Sequence, residues 1–314
     1  MMFRLLGPAL AALLGACASP PSGPPPSTPA CAAAANTPSA DPRLRLAVEE
    51  ARRQHQAFGA QTIERDGGMY RMGQHEAAWS RPPGGSDPAW QRVATFWSAV
   101  PVADAPGVVT SAGRVAIPPA WLADPAFASG TGELAARESL LRAAMMDTPW
   151  SAAFISHLMK VAGFSPAEFA FSDAHADYVQ AAFDATAAEA AGRPASHAFR
   201  ACDTASTRAR AGDLLCATRA GTAHITGFAA LSAALAARSP GEGFPMHCDL
   251  VVHADPAGGK AVEVIGGNVL NSVTLSRMTV DARGVLDDAY RAGLGGGGPH
   301  LSRRPWVVLL QARR

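Results

Sequence analysis

The sequence predicts an α+β fold, helices first and an antiparallel sheet after them. Three observations carry that prediction. Between residues 42 and 192 apolar side chains recur every three or four positions, bracketed by Pro and Gly. After residue 210 the runs shorten and fill with Val and Leu, as in "GDLLCATR", "MHCDLVVHA", "AVEVIGG", "SVTLSRM" and "WVVLLQA". Helices that precede the strands, rather than alternate with them, describe an α+β plan and not a doubly wound sheet.

Taken in order, the chain opens on "MMFRLLGPALAALLGAC", one charge at Arg4 and then an apolar run from Leu5 to Ala16. That run is shorter than the roughly 20 residues a spanning helix needs, and a basic start before a short apolar stretch describes a secretion signal. The tail "LLGAC" resembles the bacterial lipobox. The resemblance implies cleavage before Cys17 and lipidation of that residue, hence a membrane anchor. Ala18 is not acidic, which in such lipoproteins implies the periplasmic side of the outer membrane of a Gram-negative bacterium. The residues after Cys17 are mostly Pro, Ser and Ala and cannot bury enough surface to fold. About 23 of them reach at most about 70 Å at the polyproline rise. Residues 1–16 are thus expected to be a signal peptide and 17–40 a tether. A helical N-terminal region over 41–134 and an α+β domain over 135–314 follow.

In "RLRLAVEEARRQHQAF", Leu44, Ala47, Val48 and Ala51 share a helical face. "SDPAWQRVATFWSAV" starts a second helix at Asp87 and Pro88, with Trp90, Val93, Ala94 and Trp97 on one side. Residues 101–130 are broken by Pro and read as loop. "GELAARESLLRAAMM" is a third helix. "TPWSAAFISHLMKVAGF" is a fourth, capped by Thr148, with Pro149 in its first turn and Gly163 at its end. "SDAHADYVQAAFDATAAEAAG" is a fifth, capped by Ser172 or Asp173, and "TGFAALSAALAAR" is a short helix between strands.

Composition excludes some functions. The formal net charge is +1, and 25 of the 27 basic residues are Arg. No broad basic footprint for nucleic acid is present. "GLGGGGPH" lacks the Gly-Lys-Ser/Thr ending of a phosphate loop. His247, Asp249 and His253 fall on one strand face, but the outer pair is about 20 Å apart at the strand rise, too far for one ion. No metal and no other cofactor is expected. Cys31 lies in the tether, and Cys202, Cys216 and Cys248 in the folded part. Cys216 and Cys248 sit in two of the strand runs, where a cross-strand disulfide and a free buried thiol are both open readings.

Four stretches line up as a constellation: "TPWSAAFISHLMKVAGF", "GDLLC", "MHCDLVV" and "VIGGNVLNSVTLSRM". Together they resemble the NlpC and CHAP superfamily of papain-like cell-wall peptidases and amidases. Within it, they resemble the bacterial lipoprotein group called domain of unknown function 2272. The resemblance covers roughly residues 135–312. It implies a papain-like helix plus antiparallel sheet, with Ser151 at the nucleophile position, His247 as base and Asn268 as the group orienting it. The family's nucleophile is a cysteine, so Ser151 is a departure. A hydroxyl at a helix start is not ionised by the dipole and a His as a thiol can be. A serine transfers its proton during attack, with a carboxylate supporting the imidazolium. Asn268 is neutral; Asp249, two residues beyond His247, is the carboxylate on hand, and Asp213 could also contribute. Trp150 and His175 are expected to line the substrate cleft.

These residues also have plain structural readings: Ser151 as a helix start, His247 as a half-buried strand residue, Asn268 as a turn residue. Three functions follow. The first is hydrolysis of peptidoglycan amide bonds. The second is binding of peptide stems or an envelope protein partner by an inactive cleft. The third is a structural lipoprotein.

Overall fold

The structure, a computed structural model, describes residues 29–34, 39–78, 87–101, 107–110, 113–116, 132–239, 241–254, 261–291 and 300–313. The secretion signal and Cys17 lie outside the described residues. Within residues 102–130, only the hairpin β3 (Gly107–Thr110) and β4 (Gly113–Ala116) is described.

Apart from the first, which falls in the expected tether, the helices stand close to where periodicity put them. α1 is Pro29–Ala34, α2 Pro42–Ala57, α3 Ala89–Trp97, α4 Gly132–Asp147, α5 Ser151–Val161, α6 His175–Ala190 and α7 Phe228–Ala236. The Asp41 carboxylate accepts from Arg43 N–H and starts α2, with Pro42 in its first turn. Two expected caps differ. α5 begins at Ser151 behind Trp150, with no side-chain cap from Thr148. α6 begins at His175 behind Ala174. Ser172 instead accepts from Ala174 N–H and donates to Asp177, so it fixes the entry loop from outside the helix.

The strands form one eight-stranded sheet in the order β2-β1-β9-β8-β7-β6-β10-β5. They are β1 (Gln61–Ile63), β2 (Met69–Arg71), β5 (Phe199–Asp203), β6 (Leu214–Thr218), β7 (Met246–Ala254), β8 (Ala261–Val269), β9 (Ser272–Thr279) and β10 (Trp306–Ala312). All neighbours are antiparallel except β1 and β9. The chain is therefore α+β.

The boundary expected near residue 134 is not a boundary in the packing. Residues 61–71 supply two strands to the sheet, so the N-terminal region is not purely helical. One buried core runs from Leu44 through Trp97 and Trp150 to Ala312. Gln61 shows how the edge is tied in: its side-chain amide donates to Val269 O at 3.1 Å and to Thr274 Oγ1 at 2.8 Å. Periodicity missed β1 and β2 because three-residue strands carry no pattern. A second, smaller core joins Leu215, Val251, Val264 and Leu309 to Tyr290 and Trp306, residues alternating along the strands with those of the main core.

Among the described residues two disulfides are present. Cys216 and Cys248 face each other across β6 and β7 and are bonded. Cys31 is bonded to Cys202 of β5. This second bond corrects the expectation that residues 17–40 are all free tether. Cys31 is buried, and Arg200 of β5 donates to Ala30 O at 3.1 Å. Composition could not show it, because the seat is built by distant residues.

Candidate functional site

The site is assembled at the start of α5, and the N-terminal region holds that start in place. Trp150 is fully buried against Phe58 and Phe96, with ring centroids 6.0 Å and 5.6 Å away. Its indole N–H donates to Glu76 Oε2 at 2.6 Å. The Asn268 amide, turned so that both neighbours are satisfied, donates to the same Glu76 oxygen at 3.1 Å and accepts from Trp150 backbone N–H at 3.2 Å. Burial pushes the Glu76 carboxyl above its ordinary range, opposed by the indole bond. Further along α5, His157 lies 3.0 Å from Glu50 of α2, whose carboxylate also takes Arg53 and Gln54. Burial works against the charge on Glu50, but these bonds win and lower it to about 2.

On the other side α5 lies against β8 at a glycine. A Cβ on Gly267 would stand 2.5 Å from Phe154 Cβ and 2.8 Å from Trp150 Cζ3. "VIGGN" is thus the place where the strand lets the helix approach closely.

Ser151 Oγ, so placed, lies 2.7 Å from His175 Nε2. The other ring nitrogen, Nδ1, is in a short hydrogen bond with the Tyr178 hydroxyl, one turn on along α6. Both residues are buried. Burial drives the His175 imidazole well below its usual range, with His247, Arg219 and Arg304 adding to the effect. Burial also drives the Tyr178 hydroxyl well above its range. His175 is neutral and Tyr178 protonated near pH 7.

A second pair stands beside the first. The His247 ring centroid is 5.2 Å from that of His175. Its Nε2 lies 2.6 Å from Asp249 Oδ1, and Asp249 Oδ2 is 3.8 Å from Arg304 Nη1. Burial lowers the His247 pKa, partly opposed by Asp249, so the neutral ring donates its Nε2–H to the carboxylate.

Ser151 and His175 open onto a cavity of about 540 Å³. Asp147, Thr148, Asp173, Arg219 and Phe244 are also in its lining. The volume lies in the range of small-molecule sites.

Residues 85–312 match the family described as "Uncharacterized protein conserved in bacteria (DUF2272)". The chain belongs to this family. No curated protein and no solved structure matches it. The matched span in this DUF2272 protein begins ahead of α3 and ends in β10, so it includes one of the helices that pack on α5.

The structure brings Ser151, His175, His247 and Asp249 into one neighbourhood and changes what each touches. The imidazole on Ser151 is that of His175, expected only as a lining residue, and His247 is bonded to Asp249 instead. Asn268 does not orient His247. It has a φ of +54° in the bulged turn after the two glycines, and its amide serves Trp150 and Glu76. Trp150 does not line the cleft; it is a core residue anchored by its indole N–H. Asp213 is wholly buried and accepts from the backbone of Arg210 and Ala312, which makes it a turn residue. Sequence reasoning missed Tyr178, Glu76 and Arg219. The spacing of His175 and Tyr178, three apart in a helix, was a legible signal that the two could meet.

Proposed function

We propose that this protein is a serine hydrolase of amide bonds in peptidoglycan, working from a papain-like cleft in the cell envelope. The observation that carries the reading is the 2.7 Å contact of Ser151 Oγ with a neutral imidazole at a helix start that lines a cavity. In the tautomer protonated on Nδ1, His175 donates to the Tyr178 oxygen, and Nε2 is left to take the serine proton. Ser151 Oγ attacks the amide carbonyl carbon as its proton passes to His175. The C–N bond then breaks and His175 returns the proton to the leaving amine. Water attacks the resulting ester, again giving its proton to His175, which restores it to Ser151 as the acid departs. First-turn amides, including that of Ala152, have no intrahelical acceptor and meet the developing oxyanion.

Two disulfides suit the oxidising space outside the cytoplasm. They support the envelope location; the lipid anchor at Cys17 rests on the lipobox resemblance alone. One observation favours an inactive binder of peptide stems or of an envelope partner: the group behind His175 is a neutral phenol, not a carboxylate that would support an imidazolium.

Digestion of purified sacculi, followed by mass spectrometry of the fragments, separates the two. The hydrolase reading expects new amine and carboxyl ends that disappear in both Ser151→Ala and His175→Ala. Sacculi that retain the protein without being cut would sink it in favour of the binder.

A further inference from the structure

We propose that Arg219 is the docking point for a free carboxylate of the bound peptide, so that the cleft selects ionised peptides over amidated ones. The inference rests on the peptide reading of the cleft but not on its cutting anything.

Arg219 follows the last residue of β6 and is exposed, and its side chain lines the same cavity as Ser151 and His175. Its backbone is pinned. The N–H donates to Pro245 O at 3.2 Å, and its C=O accepts from Thr222 Oγ1 at 2.9 Å. The side chain therefore rises from a fixed point. Its guanidinium forms no ion pair among the described residues. Arg43, Arg200, Arg238, Arg277 and Arg313 each meet a carboxylate. Arg304 is near enough to act on the same charges, lowering the pKa of Arg219 after burial has done so. Its own nearest acid, Asp249, is 3.8 Å away. A guanidinium with no ion pair among the described residues and a second cation nearby gains most from an anion.

The lining chooses the anion. Asp147 and Asp173 stand in the same cavity, and two carboxylates would repel a phosphate or sulfate dianion. A peptide end that carries one carboxylate and one ammonium meets both signs. A guanidinium also matches the carboxylate fork in two parallel hydrogen bonds.

The test uses the peptide L-Ala-γ-D-Glu-L-Lys-D-Ala-D-Ala and two amidated forms, one at the C-terminus and one at the α-carboxyl of the D-Glu. Binding is measured by calorimetry to the full folded domain carrying Ser151→Ala, so that no cleavage is needed. One of the two amidations is expected to weaken binding about tenfold or more, the size of a charge-assisted hydrogen-bonded pair. Adding Arg219→Ala should bring that ratio to about 1, and Arg219→Lys should restore part of it. A thermal melt of each variant checks that it is folded. The proposal is overturned if neither amidation matters, if the discrimination survives Arg219→Ala, or if none of the peptides binds. Discrimination by a protein that leaves sacculi uncut would keep this inference and end the hydrolase reading. Cleavage without discrimination would do the reverse.

Discussion

Replacing Gly267 by Ala tests the contact on which the position of Ser151 depends. The added Cβ would lie 2.5 Å and 2.6 Å from Phe154 Cβ and Cγ and 2.8 Å from Trp150 Cζ3. Ordinary contact begins near 3.4 Å, so helix and strand must part by close to 1 Å. Neither neighbour yields easily. Phe154 Cβ is attached to the helix backbone, and both rings are wedged against Phe96, at 5.2 Å and 5.6 Å. Trp150 is further tied by Glu76 and Asn268. Overpacking of this kind costs about 1–3 kcal/mol, which at an m-value of about 3 kcal/mol/M lowers the urea midpoint by about 0.3–1 M. Gly221→Ala is the control, because a Cβ there meets nothing within 4 Å; its stability should stay within about 0.5 kcal/mol of the parent. Any cleavage activity should fall about 10²-fold in Gly267→Ala, since a shift of about 1 Å at a catalytic group has that effect. If Gly267→Ala unfolds at the same urea concentration as Gly221→Ala, the helix does not rest on β8 at this glycine. The account of how Ser151 is held would then be wrong.

Two further outcomes follow from the buried groups. Burial holds His55, His175, His197 and His247 below the ordinary imidazole range. Below about pH 6.5 the unfolded chain therefore binds more protons than the folded one, and stability is lost as pH falls. Asp213, pushed up by burial to about 6, takes up its proton around that pH and acts in the opposite sense, one carboxyl against four imidazoles. The urea midpoint should accordingly drop between about pH 7.5 and about pH 6; an unchanged or higher midpoint at the lower pH would contradict these burials. The disulfides close sequence separations of 171 and 32. Loop-closure entropy assigns them about 5 and about 4 kcal/mol. Removal of Cys31 and Cys202 together should thus destabilise the domain at least as much as removal of Cys216 and Cys248. Peptide mapping without reductant should find these two pairs; any other pairing would refute the placement of α1 on β5.

The sequence's legibility tracked how local each cause is. The α5 helix was readable because Trp150, Phe154 and Leu158 sit at helical spacing and Gly163, with φ +89°, ends it. The strands β6 to β10 were readable because each is a run of apolar residues broken by turns. Asp249 fell within reach of His247 because alternate strand residues share a face. The short strands β1 and β2 were not readable. β1 joins the sheet beside β9, some two hundred residues on along the chain, and β2 joins it only through β1; nothing in three residues announces either pairing. Asn268 was misread for a related reason. Two glycines and a polar residue look alike whether the amide turns toward a histidine or toward a helix start.

By itself, then, the amino-acid sequence determined the α+β class and the position of a serine at a helix start and a histidine on a strand. These depend on spacing within single elements. Tertiary structure alone decided that His175 rather than His247 meets Ser151, that Trp150 is core, and that Cys31 is tied to β5. Each of these is set by how α6, α5 and α1 dock on the sheet. Docking is the sum of many weak contacts between residues remote in the chain, and no local pattern records it.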